Sequence, residues 1–192
     1  MILLQKERNL LFLAIILLAL LLILPASCRP REAPAPPSAP GGEEGEKLPS
    51  EAQERFTATL YFADGQADRL VPEERLIVLA GKEPAVAVLE ELIEGPEHPA
   101  HGRTVPPDVQ VLGVEIRRGI AAANFSEELR SSHWGGSTGE ILTVYAIVNT
   151  LAELPGIEQV QILIAGEKVE TLVGHLELGE PLAPDMGLVS PP

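Results

Sequence analysis

The pattern of hydrophobic and polar positions predicts two strands and a helix at the start of the folded region. Residues 57–64 (TATLYFAD) are rich in β-branched and aromatic side chains and end at an Asp-Gly turn signal, so they predict a strand. Residues 69–79 predict an irregular or edge strand, because Pro72 cannot donate to a ladder. Residues 84–94 predict a helix, because their apolar side chains recur at helical spacing before a Gly-Pro stop.

The next apolar segments predict a β-hairpin. Residues 109–117 (VQVLGVEIR) and 119–125 (GIAAANF) alternate as strands on either side of an Arg-Gly turn. The alternation slips by one position near Gly113, which predicts a β-bulge there. Residues 126–128 are suited to cap a short helical turn.

A second helix is predicted from Ser137 to the Pro-Gly pair at 155–156. Ser137 and Glu140 have the S-x-x-E spacing of a capping box, so we expect both to cap the helix N-terminus. An apolar stripe follows: Ile141, Val144, Tyr145, Val148, Leu151 and Ala152. Residues 159–174 then predict a second hairpin. The order ββαββαββ predicts an α+β fold. We expect a single small domain whose mixed or antiparallel sheet carries both helices on one face.

The N-terminus has the features of an export signal. Leu10–Leu24 is an unbroken apolar run of fifteen residues after Lys6 and Arg8. As a helix it would span about 22 Å, which is short of a hydrocarbon core of about 30 Å. That length favours a signal peptide, although an uncleaved N-terminal anchor remains the alternative.

Cys28 is the chain's single cysteine and follows small residues at the end of the apolar run. This arrangement resembles a bacterial lipoprotein signal, in which the cysteine is lipidated and becomes the mature N-terminus. Pro25 departs from the usual pattern, since leucine is commonest at that position. The resemblance predicts residues 1–28 as the signal and lipidated Cys28 as an attachment to the extracytoplasmic face of the cell membrane.

Composition sets the expected domain limits. Residues 29–55 are rich in Pro, Glu, Ser and Gly, so they predict a disordered tether. The folded domain is expected over residues 56–184, and residues 185–192 are expected to form a disordered tail. The chain carries a formal net charge of −14. That charge argues against nucleic acid as a partner, because its binding needs a basic surface.

Residues 135–139 spell G-x-S-x-G, the nucleophile elbow of serine hydrolases. An elbow needs a strand before the serine, and the preceding segment SEELRSSH is polar except for Leu129. The only histidine after Ser137, His175, precedes Asp185, which inverts the usual order of the triad partners. Catalysis at Ser137 is therefore disfavoured, and so is phosphate binding beside Glu140.

No cofactor or metal site is predicted. His98 and His101 lie in a loop around Pro99 and are interpreted as surface histidines. The acidic side chains of Asp64, Asp68, Glu73 and Glu74 do not match a calcium loop and are interpreted as a solvated rim. Trp134 has two interpretations, as an ordinary core residue or as a mobile, partly exposed anchor for a partner.

The second helix is more apolar than one buried stripe requires. Leu142 and Ile147 lie on the two flanks of its predicted core face. One account is that flanking strands or the Trp134 loop cover both residues. The other is that one of them, together with Trp134, forms a patch for self-association or for an envelope protein partner.

Five segments in order resemble the GerMN domain, which is named for the sporulation and spore-germination protein GerM. They are LYFAD…LVPEERLI, AVLEELIEGP, NFSEELR, GSTGE and TLAELPGIEQVQILIAGEKVETLVGHLEL. The resemblance covers roughly residues 57–184. It implies a non-enzymatic extracytoplasmic module with a fold similar to ring-building motifs of trans-envelope secretion machines.

In spore formers the family's GerM supports assembly of a channel-like complex between mother cell and forespore. The resemblance therefore implies a membrane-anchored assembly module of the envelope, in sporulation or germination. This chain has one such domain where GerM has two, and such domains also occur in bacteria that do not sporulate. A module that binds an envelope ligand, such as a peptidoglycan fragment, is the alternative, and a serine hydrolase the weaker one. A pocket of polar and aromatic groups would favour the ligand, and an exposed apolar patch on the second helix the scaffold.

Overall fold

The computed structural model describes residues 54–191, and the predicted signal, Cys28 and nearly all of the predicted tether lie outside them. The elements of the described part are β1 (Arg55–Ala63), β2 (Leu70–Val78), α1 (Pro84–Glu94), β3 (Val111–Arg117), β4 (Ile120–Phe125), α2 (Glu128–Ser131), α3 (Ser137–Ala152), β5 (Gln159–Ile164), β6 (Glu167–Lys168) and a 3-10 turn (Met186–Leu188). Within residues 54–191, no helix combines the length and apolar character needed to cross a bilayer.

The α+β class and the small single domain are confirmed, but the strands form two sheets instead of one. β1 pairs with β2 in an antiparallel ribbon, and the larger sheet has the order β3-β4-β5-β6 with a parallel β4–β5 pair. The second edge of β1 meets α3, where the Tyr61 N–H donates to Thr150 Oγ1 at 3.2 Å. Because α3 occupies that edge, the ribbon does not continue into the larger sheet.

Local signals placed the first helix and the hairpin correctly. Helix α1 has the predicted limits, and the β3–β4 register shifts between Val111 and Gly113, which confirms the bulge. Arg118 and Gly119 have φ of 54° and 82°, the left-handed pair of a type I′ turn. Pro72 lies on the edge strand β2, opposite Tyr61, so its missing N–H interrupts no further ladder.

Helix α3 is buried around most of its circumference. It contacts β1, β5 and α1, so both sheets and the other long helix cover it. Leu142 is 4% exposed and Ile147 is fully buried. Their interpretation as candidate partner contacts is therefore wrong, because the second sheet covers a helix side that a single-sheet fold would have left open.

The C-terminal segment is ordered, which corrects the expected disordered tail. Asn149 of α3 pairs with the backbone of Asp185: Nδ2 donates to the carbonyl at 3.1 Å, and the Asp185 N–H donates to Oδ1 at 3.0 Å. Further along, the Ser190 N–H donates to the Leu70 carbonyl at 2.8 Å. The domain therefore extends beyond residue 184, because a buried amide on α3 needs these backbone partners.

Glu73 belongs to a buried ionic cluster and not to a solvated rim. Its carboxylate contacts the Arg75 guanidinium at 2.5 Å and accepts from the Glu97 and His98 N–H groups. Arg75 is 6% exposed and also donates to the Gly95 carbonyl at 3.1 Å. The cluster joins β2 to the loop after α1. Burial opposes ionisation of Glu73, but these hydrogen bonds and Arg75 outweigh it and lower the pKa of Glu73 to about 2.

Acid should remove the stability that this cluster contributes. The pKa of Glu73 is lower when folded, so its contribution is present above pH ~4.5 and is lost as the pH falls towards about 2. We expect Glu73→Gln to remove roughly 2–3 kcal/mol of pH-dependent unfolding free energy over that range. Urea unfolding followed by circular dichroism at several pH values measures it. The exposed neighbour provides the control Glu74→Gln, and equal acid sensitivity of both variants would contradict the assignment.

Candidate functional site at the Trp134 loop

The loop between α2 and α3 exposes the chain's single tryptophan. Trp134 is 52% exposed, so its interpretation as an ordinary core residue is wrong. Gly135 and Gly136 follow with φ of 81° and 82°, a conformation that side chains other than glycine rarely adopt. These two glycines let the chain turn sharply from the tryptophan into the first turn of α3.

The His133 side chain fixes the loop through hydrogen-bond contacts at both ring nitrogens. Its Nδ1 accepts the Gly135 N–H at 2.9 Å, and its Nε2 lies 3.1 Å from Thr143 Oγ1. The Thr143 hydroxyl donates to the Thr104 carbonyl at 2.5 Å, so Thr143 Oγ1 can accept a hydrogen bond from the Nε2–H group of His133. These contacts assign a neutral imidazole with its proton on Nε2. Burial lowers the pKa of His133, which favours the same neutral form, against a smaller opposing influence of Glu140.

The indole of Trp134 is held in place although it is exposed. Its ring stacks on the His133 imidazole, with centroids 5.5 Å apart and planes inclined by 26°. Its edge lies against Gly139 of α3, where a Cβ atom would be only 3.2 Å from Nε1. The tryptophan is therefore oriented by its neighbours before any partner binds, which reduces the ordering cost of binding.

A groove of about 250 Å³ adjoins the indole. Its lining combines one aromatic ring, two threonines and several small residues: Ala63, Ala67, Arg103, Thr104, Trp134, Gly135, Thr138, Gly139 and Leu142. The Arg103 guanidinium donates to the Ile93 carbonyl at 2.7 Å, so this cation is engaged with the end of α1. The groove thus offers an aromatic surface, the exposed Thr138 hydroxyl and the exposed Arg103 side chain. Thr104 is only 1% exposed, and its hydroxyl donates to the Tyr61 carbonyl at 3.5 Å.

Ser137 and Glu140 do not form the predicted capping box. The N-cap of α3 is Gly136, no side chain caps the helix, and Ser137 is its first helical residue. The Glu140 carboxylate is fully buried and accepts the N–H groups of Leu172, Val173 and His175 at 2.8, 3.0 and 2.8 Å. Gly136 has a positive φ, so Ser137 does not occupy the N-cap position. The Glu140 carboxylate therefore bonds to the backbone of the loop after β6 and not to the helix N-terminus.

This bond set explains why the second hairpin is shorter than predicted. β6 spans only Glu167–Lys168, because the N–H groups of Leu172, Val173 and His175 point to Glu140 and not to a strand. Burial opposes ionisation of Glu140, but the backbone N–H groups of Val173, His175 and Leu172 outweigh it and hold its pKa below the usual range. An ionised carboxylate in the first turn of α3 is also favoured by the helix dipole.

Ser137 lacks the setting of a nucleophile. It follows a loop after α2, with no strand leading into it. The nearby His133 ring is engaged with Gly135 and Thr143. Among residues 54–191, no group of three or more His, Cys, Asp or Glu side chains could hold a metal ion. His98 is exposed, whereas His101 contacts Glu73 at 3.0 Å as part of the ionic cluster.

Several residues around the site were missed by sequence reasoning. Thr143 and Asn149 are polar positions in an otherwise apolar helix, and both hydrogen-bond to distant backbone. The available signal was clearer for Thr143, which lies between Leu142 and Val144, than for Asn149, which is followed by Thr150. Their partners, Thr104 and Asp185, could not be found from the sequence, because the contacts join segments 39 and 36 residues apart.

Comparison with known proteins identifies the family of this domain. Residues 59–170 match the family Germane, described as "Sporulation and spore germination", and the chain belongs to this family. The match covers the elements that build the Trp134 loop and its groove. A comparison with curated proteins found no match.

Solved structures that are similar to the chain include two of GerM and one candidate lipoprotein. The first GerMN domain of the sporulation protein GerM from Bacillus subtilis has 24% identity and a TM-score of 0.54, covering 67% of this chain and 97% of that one. The tandem GerMN domains of the same protein have 23% identity and a TM-score of 0.54. The match covers 69% of this chain and 46% of the tandem, so the chain matches about half of that tandem. A candidate lipoprotein from Clostridium perfringens has 25% identity and a TM-score of 0.49, and the match covers 67% of this chain and 87% of that one. The GerM likenesses support the shared fold.

The corrected roles of Ser137 and Glu140 predict that replacing Glu140 destabilises the fold much more than replacing Ser137. Glu140→Gln replaces a buried carboxylate that accepts three N–H bonds, so we expect a loss of about 2–3 kcal/mol in unfolding free energy. Ser137→Ala removes no cap, so we expect a change within about 0.5 kcal/mol. Urea unfolding at pH 7 measures both. A loss of ~1 kcal/mol for Ser137→Ala with little change for Glu140→Gln would restore the capping box.

Proposed function

We propose that this chain is a lipid-anchored, non-enzymatic interaction module on the extracytoplasmic face of the bacterial cell membrane. In this role it supports assembly of an envelope complex in sporulation or spore germination. The observation that carries the proposal is Trp134, which is exposed yet held in one orientation by His133 and Gly139. Rigid exposed aromatic residues are typical of binding surfaces.

The polar groups near Trp134 support binding better than catalysis. His133 and Thr143 use their hydrogen bonds to hold the loop, and Glu140 uses its carboxylate to hold residues 172–175. A general base needs to reach a substrate, whereas these groups are engaged within the fold. The family is one of sporulation and germination and is not a known enzyme family.

Membrane attachment is proposed from the position of Cys28 after a short apolar run. Diacyl modification would supply two lipid chains, which is the condition for stable anchoring. The domain carries a strong negative charge, so attraction to anionic lipids would not hold it at the membrane without such an anchor. An uncleaved N-terminal segment is the alternative anchor.

A second candidate function is binding of an envelope glycan, such as a peptidoglycan fragment, in the Trp134 groove. The groove combines an indole with the exposed side chains of Thr138 and Arg103, a lining suited to a polyhydroxy ligand. The burial of Leu142 and Ile147 also removes the apolar helix patch that would have favoured a protein scaffold. This candidate keeps the same anchor and the same tryptophan but changes the partner.

Replacing Trp134 tests whether its surface is used. Trp134→Ala should leave the melting temperature within about 2 °C of wild type, because much of the indole is exposed. It should abolish a defined high-mass complex in crosslinked envelopes. Leu76→Ala, at a residue that is 56% exposed on β2, is the control and should retain the complex. Retention of the complex by Trp134→Ala would exclude this surface.

The single tryptophan also separates the two candidate partners. Titration of the full chain with soluble N-acetylglucosamine oligomers or muropeptides should change Trp134 fluorescence if a glycan occupies the groove. If Trp134 fluorescence does not change at millimolar ligand and Trp134→Ala loses the crosslinked complex, the glycan is excluded and a protein is the partner.

Lipidation is tested at Cys28. Cys28→Ala should block incorporation of labelled palmitate and leave unprocessed precursor, because the lone cysteine is the attachment point. Ser27→Ala is the matched control and should be labelled normally. An unlabelled wild-type chain of precursor length would replace the lipoprotein anchor with the uncleaved one.

A further inference from the structure

Strand β3 is an edge of the larger sheet, and part of its backbone points away from β4. The sheet order places β3 first, with β4 as its neighbour. Because Arg117 and Ile120 flank a two-residue turn, they form a hydrogen-bonded pair, and the pattern alternates from there. The N–H and C=O groups of Ile116 and Val114 therefore point outward, where another extended strand could pair with them.

Ile116 also places an apolar side chain beside an apolar groove. Its side chain lies on the core side of the sheet, since it pairs with the fully buried Ala121, yet Ile116 is 50% exposed. The adjoining groove has a volume of about 330 Å³ and is lined by Glu83, Pro84, Ala85, Val114, Ile116, Leu154 and Pro155. A projecting apolar group next to an apolar depression suits a two-fold interface, in which both copies use the same surface patch.

The opposite face of β3 has charges in a matching arrangement. Glu115 and Arg117 flank Ile116 and lie 3.0 Å apart, with side chains 70% and 78% exposed. A two-fold axis through Ile116 would place Glu115 of each copy opposite Arg117 of the other. Opposite charges directly across an antiparallel pair stabilise it, whereas like charges destabilise it.

We propose that β3 pairs in antiparallel fashion with β3 of a second copy, with the two-fold axis at Ile116. Three features converge on that register: the outward backbone groups of Ile116, its side chain beside the groove, and the crossed Glu115–Arg117 pairs. An axis at Glu115 would oppose two carboxylates, and an axis at Val114 would bring the Gly113 bulge into the ladder. The surface goes beyond the proposed function and does not use Trp134.

The proposed contact is short, so it predicts a weak dimer. Arg118 has a φ of 54° and ends the strand, and the bulge at Gly113 limits it on the other side. The dimer would gain from confinement of the chains to a membrane surface, which raises their effective concentration. Chemical crosslinking at a defined position is therefore the suitable measurement.

The register is tested with single cysteines introduced into the full chain with Cys28 kept, because lipidation would occupy the Cys28 thiol and hold the chains at the membrane. Ile116→Cys, which lies on the axis, should give at least fivefold more dimer with a short bismaleimide than Leu76→Cys. Leu76 is the matched control, since it is 56% exposed on the other sheet. Equal yields at the two positions would overturn the proposal. If position 116 crosslinks only to a different envelope protein, the proposal that a second copy pairs with β3 is wrong.

Charge reversal provides an independent check in the Ile116→Cys background. Glu115→Arg and Arg117→Glu should each reduce the dimer yield at least fivefold, and the double reversal should restore it, because the crossed pairs are rebuilt with exchanged signs. Failure of the double reversal to restore the dimer, with circular dichroism unchanged, would exclude this register. Trp134→Ala should leave the yield unchanged. That variant separates this interface from the Trp134 surface, since loss of the dimer there would move the contact to Trp134.

Discussion

The burial of α3 is the constraint on which the rest of the structure depends. A helix covered on most sides cannot leave polar groups unpaired, because a buried carboxylate, amide or hydroxyl without a partner costs several kcal/mol. Glu140, Asn149 and Thr150 each meet this requirement by bonding to the backbone of a distant segment. The helix thereby holds the loop after β6, the C-terminal segment and strand β1 in place.

The same constraint shapes the Trp134 loop. Thr143 is buried on α3 and bonds to both the Thr104 carbonyl and the His133 ring, and His133 in turn supports the indole. The exposed tryptophan is therefore connected to the core through two hydrogen bonds and one ring contact. A loop supported in this way can present a binding group without the entropy loss of a mobile one.

Local sequence signals were sufficient where the chain's conformation depends on near neighbours. Helix α1 begins at its N-terminal proline and ends before glycine, and the bulge at Gly113 follows from a slip in alternation. The family resemblance was also readable, since its segments occur in order and the family match spans residues 59–170. The local signals failed at Ser137 and Glu140, where S-x-x-E spacing is present but the Gly136 conformation and a distant loop decide the contacts.

The sequence by itself determined the α+β class, the limits of α1, the β3–β4 hairpin with its bulge, and the family. These depend on residue periodicity, turn chemistry and segment order, which are local properties. Only the tertiary structure decided that two sheets enclose α3, that Leu142 and Ile147 are core, and that Trp134 is exposed. Burial and hydrogen-bond partners depend on which distant segments meet. A side chain's periodicity shows which face of a helix it occupies but not what covers that face.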